Sequence, residues 1–184
     1  MYSARSILAF VLFLSSLGAA NRGFAVEDDP SMATKARNSR ALQSSEASNV
    51  LGQIVIALAG GSEAMDALRG PQSEDAQKDR LQPPLPGMNC GIDRILSFVS
   101  CYSAVVNNKK EAENMFNQLN DAVEAALPST LWQPVEHIPA VRSTIRNISY
   151  AHVKSGAQID IELIAEPALD TQSYVVSLYG WTGP

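Results

Sequence analysis

The sequence predicts an α+β protein in which amphipathic helices pack on a three- to four-stranded antiparallel sheet. Two periodicities along the 184-residue chain carry that reading. Between residues 109 and 127 the apolar side chains recur at spacings of three and four, which marks one face of a helix. After Pro139 the spacing falls to two, through three short segments parted by turn residues, which is the pattern of an antiparallel meander. A third observation bounds the class. Hydrophobic residues make up 46% and charged residues 18%, so the chain is neither wholly disordered nor collagen-like nor a polytopic membrane protein. The net charge of −5 argues against nucleic acid as a partner.

Residues 1–25 read as a secretory signal peptide. Arg5 supplies the positive start, Ile7 to Leu14 the apolar run, and Ser15, Ser16, Gly18, Ala19 and Ala20 the small residues that follow. The run is too short to span a bilayer comfortably and fits a signal peptide, with an N-terminal membrane anchor as the other reading. Cleavage fits after Ala20, with Gly18 at −3, or after Ala25, with Gly23 at −3. The expectation is a secreted, extracellular protein (periplasmic in a bacterium), with no membrane association once the signal is removed. Residues 26–45 are small, polar and mixed in charge, and read as a disordered leader. Within them Arg40-Ala41-Leu42-Gln43 resembles a degenerate form of the RxLR translocation motif of oomycete effectors.

Residues 46–88 read as a helical segment followed by a proline-rich linker. A helix is expected from Glu46 to Ala59, interrupted by Gly60 and Gly61, with a helical turn from Ser62 to Leu68. The prolines near the end of 70–88 discourage regular structure there. Residues 89–184 read as the α+β domain. Ile92, Ile95, Leu96, Val99 and Val106 suggest a helix over 92–106. The helix over 109–127 has Asn108 as its cap, with Glu111 three residues on, and Met115, Phe116, Leu119, Val123 and Leu127 on its apolar face. Strands are expected over 143–153, 158–165 and 173–179, with Ile159, Ile161, Leu163 and Ala165 lining one face of the second.

Export favours oxidised thiols, and Cys90 and Cys101 are the two cysteines. Eleven helical residues separate two positions by roughly 16 Å, whereas a disulfide needs Cα atoms within roughly 7 Å. A helix through both residues forbids the bridge. A chain that folds back at Gly91 allows it, and free or intermolecular thiols are the other outcomes. Asn147-Ile148-Ser149 is a glycosylation acceptor pattern, usable only if Asn147 faces solvent.

Catalytic signatures are poor. There is no HExxH, CxxC, P-loop or dinucleotide fingerprint, and Gly60-Gly61-Ser62-Glu63-Ala64 misses a nucleophile elbow at its last position. The histidines, His137 and His152, read as structural or exposed. The reading is a non-enzymatic protein without metal or cofactor that acts by binding a protein partner.

A surface for that partner follows from the meander. Two antiparallel passes bring the chain back to the end of the sheet where it began. The turn at Ser155-Gly156 and the segment Gly180-Trp181 therefore become neighbours, forming a wedge with a glycine for close approach and an indole as anchor. His152-Val153-Lys154-Ser155-Gly156, followed 25 residues after Gly156 by Trp181 in Gly180-Trp181, resembles the two hairpin loops of the cystatin superfamily. That family comprises reversible inhibitors of papain-like cysteine proteases. The resemblance covers about residues 143–181. It implies a cystatin-like fold, a papain-like cysteine protease as partner, and His152, Val153, Lys154, Ser155, Gly156, Gly180 and Trp181 as contact residues. The alternative is a secreted effector or surface antigen of a parasite or pathogen, without catalytic activity.

Overall fold

A computed structural model describes residues 41–74, 77–136, 143–167 and 172–183. The expected signal peptide, Arg40 and His137 lie outside the described residues. Among these residues three helices, α1 (Ser45–Gly60), α2 (Ser62–Asp66) and α3 (Lys109–Ala126), accompany eight strands. These are β1 (Arg69–Gln72), β2 (Lys78–Leu81), β3 (Met88–Asp93), β4 (Phe98–Ser103), β5 (Trp132–Val135), β6 (Thr144–His152), β7 (Gln158–Pro167) and β8 (Gln172–Trp181). They form a single antiparallel sheet in the order β1-β2-β3-β4-β8-β7-β6-β5. It consists of two four-stranded meanders. After β4, at the centre, α3 carries the chain to the far edge, where β5 starts a second meander that returns inward until β8 lies beside β4.

The expected sheet of three to four strands is corrected by this eight-stranded one. The three predicted strands are present as β6, β7 and β8; the others were hidden for identifiable reasons. Prolines discouraged strands over 70–88, yet Pro83, Pro84 and Pro86 fall in the connection between β2 and β3. Pro71 and Pro134 lie in β1 and β5, the two edge strands, where a missing N–H costs no ladder bond. The expected helix over 92–106 is instead the β3–β4 hairpin. Ile92 and Val99, seven apart, suit one face of a helix, but they also pair directly across a hairpin with its tip at 94–97. Cys90 pairs with Cys101 in the same register at a Cα–Cα distance of 4.0 Å, and their sulfurs form the disulfide. With no helix between the cysteines, the geometric obstacle to the bridge disappears.

The helices lie on one face of the sheet. In α1, Ser44 caps the N-terminus by accepting from the Ala47 amide at 3.1 Å, and Val50, Leu51, Ile54, Val55 and Leu58 are buried. Gly61, with φ 89°, breaks the helix in a conformation that disfavours other residues. In α3, the Asn108 side chain accepts from the Glu111 amide, and Ala112, Met115, Phe116, Leu119 and Val123 are buried. Facing them across the core are Ile92, Val99, Cys101, Ile159, Ile161, Leu163, Val176 and Leu178. Burying each such side chain contributes about 1.5–3 kcal/mol. Polar contacts set the position of α3. Tyr150 on β6 donates to Glu124 Oε1 at 2.8 Å, with Asn120 Oδ1 at 2.9 Å. The Arg146 guanidinium covers the Phe116 ring at 4.5 Å and donates to Asn117. Burial, and Glu124 beside it, push the Tyr150 hydroxyl well above the usual tyrosine range.

Candidate functional site

Two features of the sheet bear on binding: the rim where several hairpins end, and the face that α1 and α3 leave uncovered.

Register defines the rim. Trp181, the last residue of β8, pairs with Phe98 at the start of β4 and with Gln158 at the start of β7. The end of β8 is therefore flanked by the β3–β4 tip and the β6–β7 turn, with centres roughly 14 Å apart at ordinary strand spacing. Both present apolar side chains to solvent: Ile95 is 86% exposed and Leu96 71%, while Val153 is 52% exposed. The tips are built rather than loose. The Asp93 carboxylate accepts from the backbone amides of Ile95 and Leu96, each at 2.8 Å, and those two bonds hold its pKa below the ordinary value. Ser97 completes the reversal at φ 48°. On the other turn, His152 Nδ1 accepts from the Ser155 amide at 3.1 Å and lies 2.8 Å from Ser155 Oγ. Its ring packs 5.2 Å from that of Trp132. Gly156 closes this turn at φ 72°.

The tip of the β3–β4 hairpin is tied to β2 by charge. Asp79 accepts from Arg94 through Nε (2.9 Å) and Nη2 (2.6 Å), and Arg69 Nη1 approaches its other oxygen at 3.4 Å. Arg94, then Arg69, hold the Asp79 carboxyl below its ordinary pKa. Arg69 also reaches Asp66 at the end of α2 at 2.6 Å.

The predicted contact residues are brought together only in part. Ser155-Gly156 and the end of β8 do share the rim, and Gly183 lies so close that a Cβ there would fall 1.7 Å from the Ser155 carbonyl oxygen. Val153 and Lys154 are exposed in the turn. His152 is buried and organises the turn from beneath. Gly180 lies within β8, paired with Val99 on one side and Ile159 on the other, and buried under Leu58 of α1. Trp181 is half-buried on the uncovered face, 6.2 Å from Phe98 between ring centroids. Asn147 is half-buried in β6, in register with Glu162. Leu42, from the RxLR-like tetrad, is buried in the core. Sequence reasoning missed Ile95 and Leu96 as rim residues, because the helical reading placed them on a buried face. The signal for them was the cysteine spacing: a hairpin closed by Cys90 and Cys101 has its midpoint between residues 95 and 96.

The uncovered face carries a different chemistry. Phe98 stacks on Tyr179 at 5.8 Å, and Tyr102 meets Tyr179 edge-on at 5.7 Å. Burial, with Tyr102 nearby, raises the Tyr179 hydroxyl well above its usual pKa. Toward β7 the same face holds Asp160 and Glu162, both buried, with Gln158 donating to Asp160 and Thr144 to Glu162. Toward β2 it opens into a cleft of about 500 Å³ lined by Lys78, Arg80, Asn89, Ser100 and Tyr102 among others. Among the described residues, no group of three or more His, Cys, Asp or Glu side chains is placed to hold a metal. No helix among them is long and apolar enough to cross a membrane. No family model matches the chain, no curated protein or solved structure is significantly similar to it, and the resemblance to cystatins gains no support from these comparisons.

Proposed function

We propose that this chain is an exported protein that acts by binding a protein partner through its hairpin rim, and that the partner is a papain-like cysteine protease. The observation that carries the reading is the convergence of exposed Ile95, Leu96 and Val153 on one rim, on tips held by Asp93 and His152. Apolar side chains on preorganised turns lose little conformational entropy on docking. Two narrow tips flanking a third strand end match a cleft better than a flat surface. The disulfide is compatible with an oxidising compartment.

The test is titration of papain with the purified mature protein. Inhibition at micromolar protein is expected, weakened at least about tenfold in Ile95→Asp/Leu96→Asp, whose positions are exposed and leave the fold intact. Absence of inhibition overturns the protease partner and leaves the effector or surface-antigen reading. Inhibition indifferent to the rim substitutions overturns the rim. Export is tested separately by N-terminal sequencing of the secreted protein, which is expected to begin after Ala20 or Ala25.

A further inference from the structure

The cleft on the uncovered face has a composition unlike the rest of this acidic chain. Lys78 and Arg80 alternate along β2 and therefore project to the same side. Across the ladder from Arg80 stands Gly91, and beyond it Ser100, so the floor beside the guanidinium has no side chain at its centre. A Cβ on Gly91 would sit 3.3 Å from the Lys78 side chain, which keeps the strands close and the floor bare. Lys78 Nζ lies 3.3 Å from Ser100 Oγ and 5.9 Å from the centroid of the Tyr102 ring. Among the described residues neither Lys78 nor Arg80 forms an ion pair. Asp93, the cross-strand neighbour of Lys78, accepts its hydrogen bonds from the hairpin tip and acts on Lys78 through its charge alone. Among the described residues, Glu74 is the one acidic side chain lining the cleft. Leu81, Pro84, Met88 and Cys90 add apolar atoms to the lining, and Ser73 a further hydroxyl.

Two cations on a hydroxyl- and amide-bearing floor, with the Tyr102 ring at its side, are complementary to a ligand with an anionic head and a flat body. Lys78 borders the β3–β4 tip, and the rest of the cleft runs away from it along β2 and β3. We propose that this cleft binds a small organic phosphate or sulfate ester, its charged head held by Lys78, Arg80, Ser100 and Asn89 and its ring against Tyr102. A guanidinium offers paired N–H donors to such an oxyanion, and the ammonium adds a point charge.

The experiment is calorimetric titration of the full protein with phenyl phosphate, phenyl sulfate, inorganic phosphate and phenol. Phenyl phosphate or phenyl sulfate is expected to bind with a Kd of about 1 mM or tighter, inorganic phosphate more weakly, and phenol not measurably. Preference between the two esters identifies the head group. Arg80→Ala, at an exposed position, is expected to weaken ester binding about tenfold or more with an unchanged melting temperature. Lys110→Ala, on the exposed start of α3, is expected to leave it unchanged. Ester binding no tighter than that of phenol, binding indifferent to Arg80→Ala, or no binding by the folded protein at about 10 mM ester overturns the proposal.

Discussion

Gly180→Ala separates a packing role for this glycine from a contact role. An added Cβ would stand 2.6 Å from Leu58 Cδ1 and 2.9 Å from Val99 Cγ1, well inside van der Waals contact. Neither neighbour has room to withdraw, since Leu58 and Val99 are fully buried. Overpacking of this kind costs about 1–3 kcal/mol. Alanine recovers about 0.5–1 kcal/mol of the backbone entropy that glycine loses in a strand. The net expectation is destabilisation by about 1–2 kcal/mol, seen as a fall in Tm of roughly 3–6 °C for a domain of this size. Thermal unfolding followed by circular dichroism measures it. A double-mutant cycle with Leu58→Ala tests the cause. Alone, Leu58→Ala should cost about 2–5 kcal/mol through the cavity it leaves. Beside Gly180→Ala the new methyl fills part of that cavity, so the two costs should fall short of additivity by about 1 kcal/mol or more. An unchanged Tm in Gly180→Ala, or strict additivity in the cycle, would refute the packing of α1 on β8 described above.

Three further outcomes follow from the same geometry. Cys90→Ser/Cys101→Ser opens a loop of sequence separation 11 and should lower stability by about 3 kcal/mol, measured by urea unfolding against the wild-type protein. Asp79, with its pKa lowered by Arg94 and Arg69, contributes stability that is full above about pH 4 and is lost as pH falls through its depressed folded value. Asp79→Asn should therefore lower Tm at pH 7, by a smaller amount as the pH falls below about 4, and so flatten the acid limb of the curve, as differential scanning fluorimetry across that range would record. His152→Ala removes the acceptor of the Ser155 amide and a buried ring beside Trp132, and should cost about 1–3 kcal/mol. Hydrogen exchange should quicken at the Ser155 amide in this variant while the Asp93-capped tip stays protected.

Periodicity and capping alone identified α3, β6, β7 and β8, because their patterns extend over many residues and meet a partner surface of matching spacing. Asn108, for example, caps α3 through the Glu111 amide as its sequence position requires. The adjacency of Gly156 and the end of β8 was likewise legible, since it depends only on an even number of strand passes. What sequence left open was decided by pairing across the sheet. Ile92, Val99 and the cysteines suit a helix face and a hairpin equally, and the choice fell to the hairpin once β3 and β4 joined β2 and β8 on either side. Gly180 reads as a loop glycine beside an anchor tryptophan until Leu58, more than a hundred residues earlier, is laid over it. The rim and the cleft share this origin. Ile95, Leu96, Lys78 and Arg80 lie in segments of ambiguous or weak local preference, whose exposure is set by long-range strand register rather than by their neighbours in sequence.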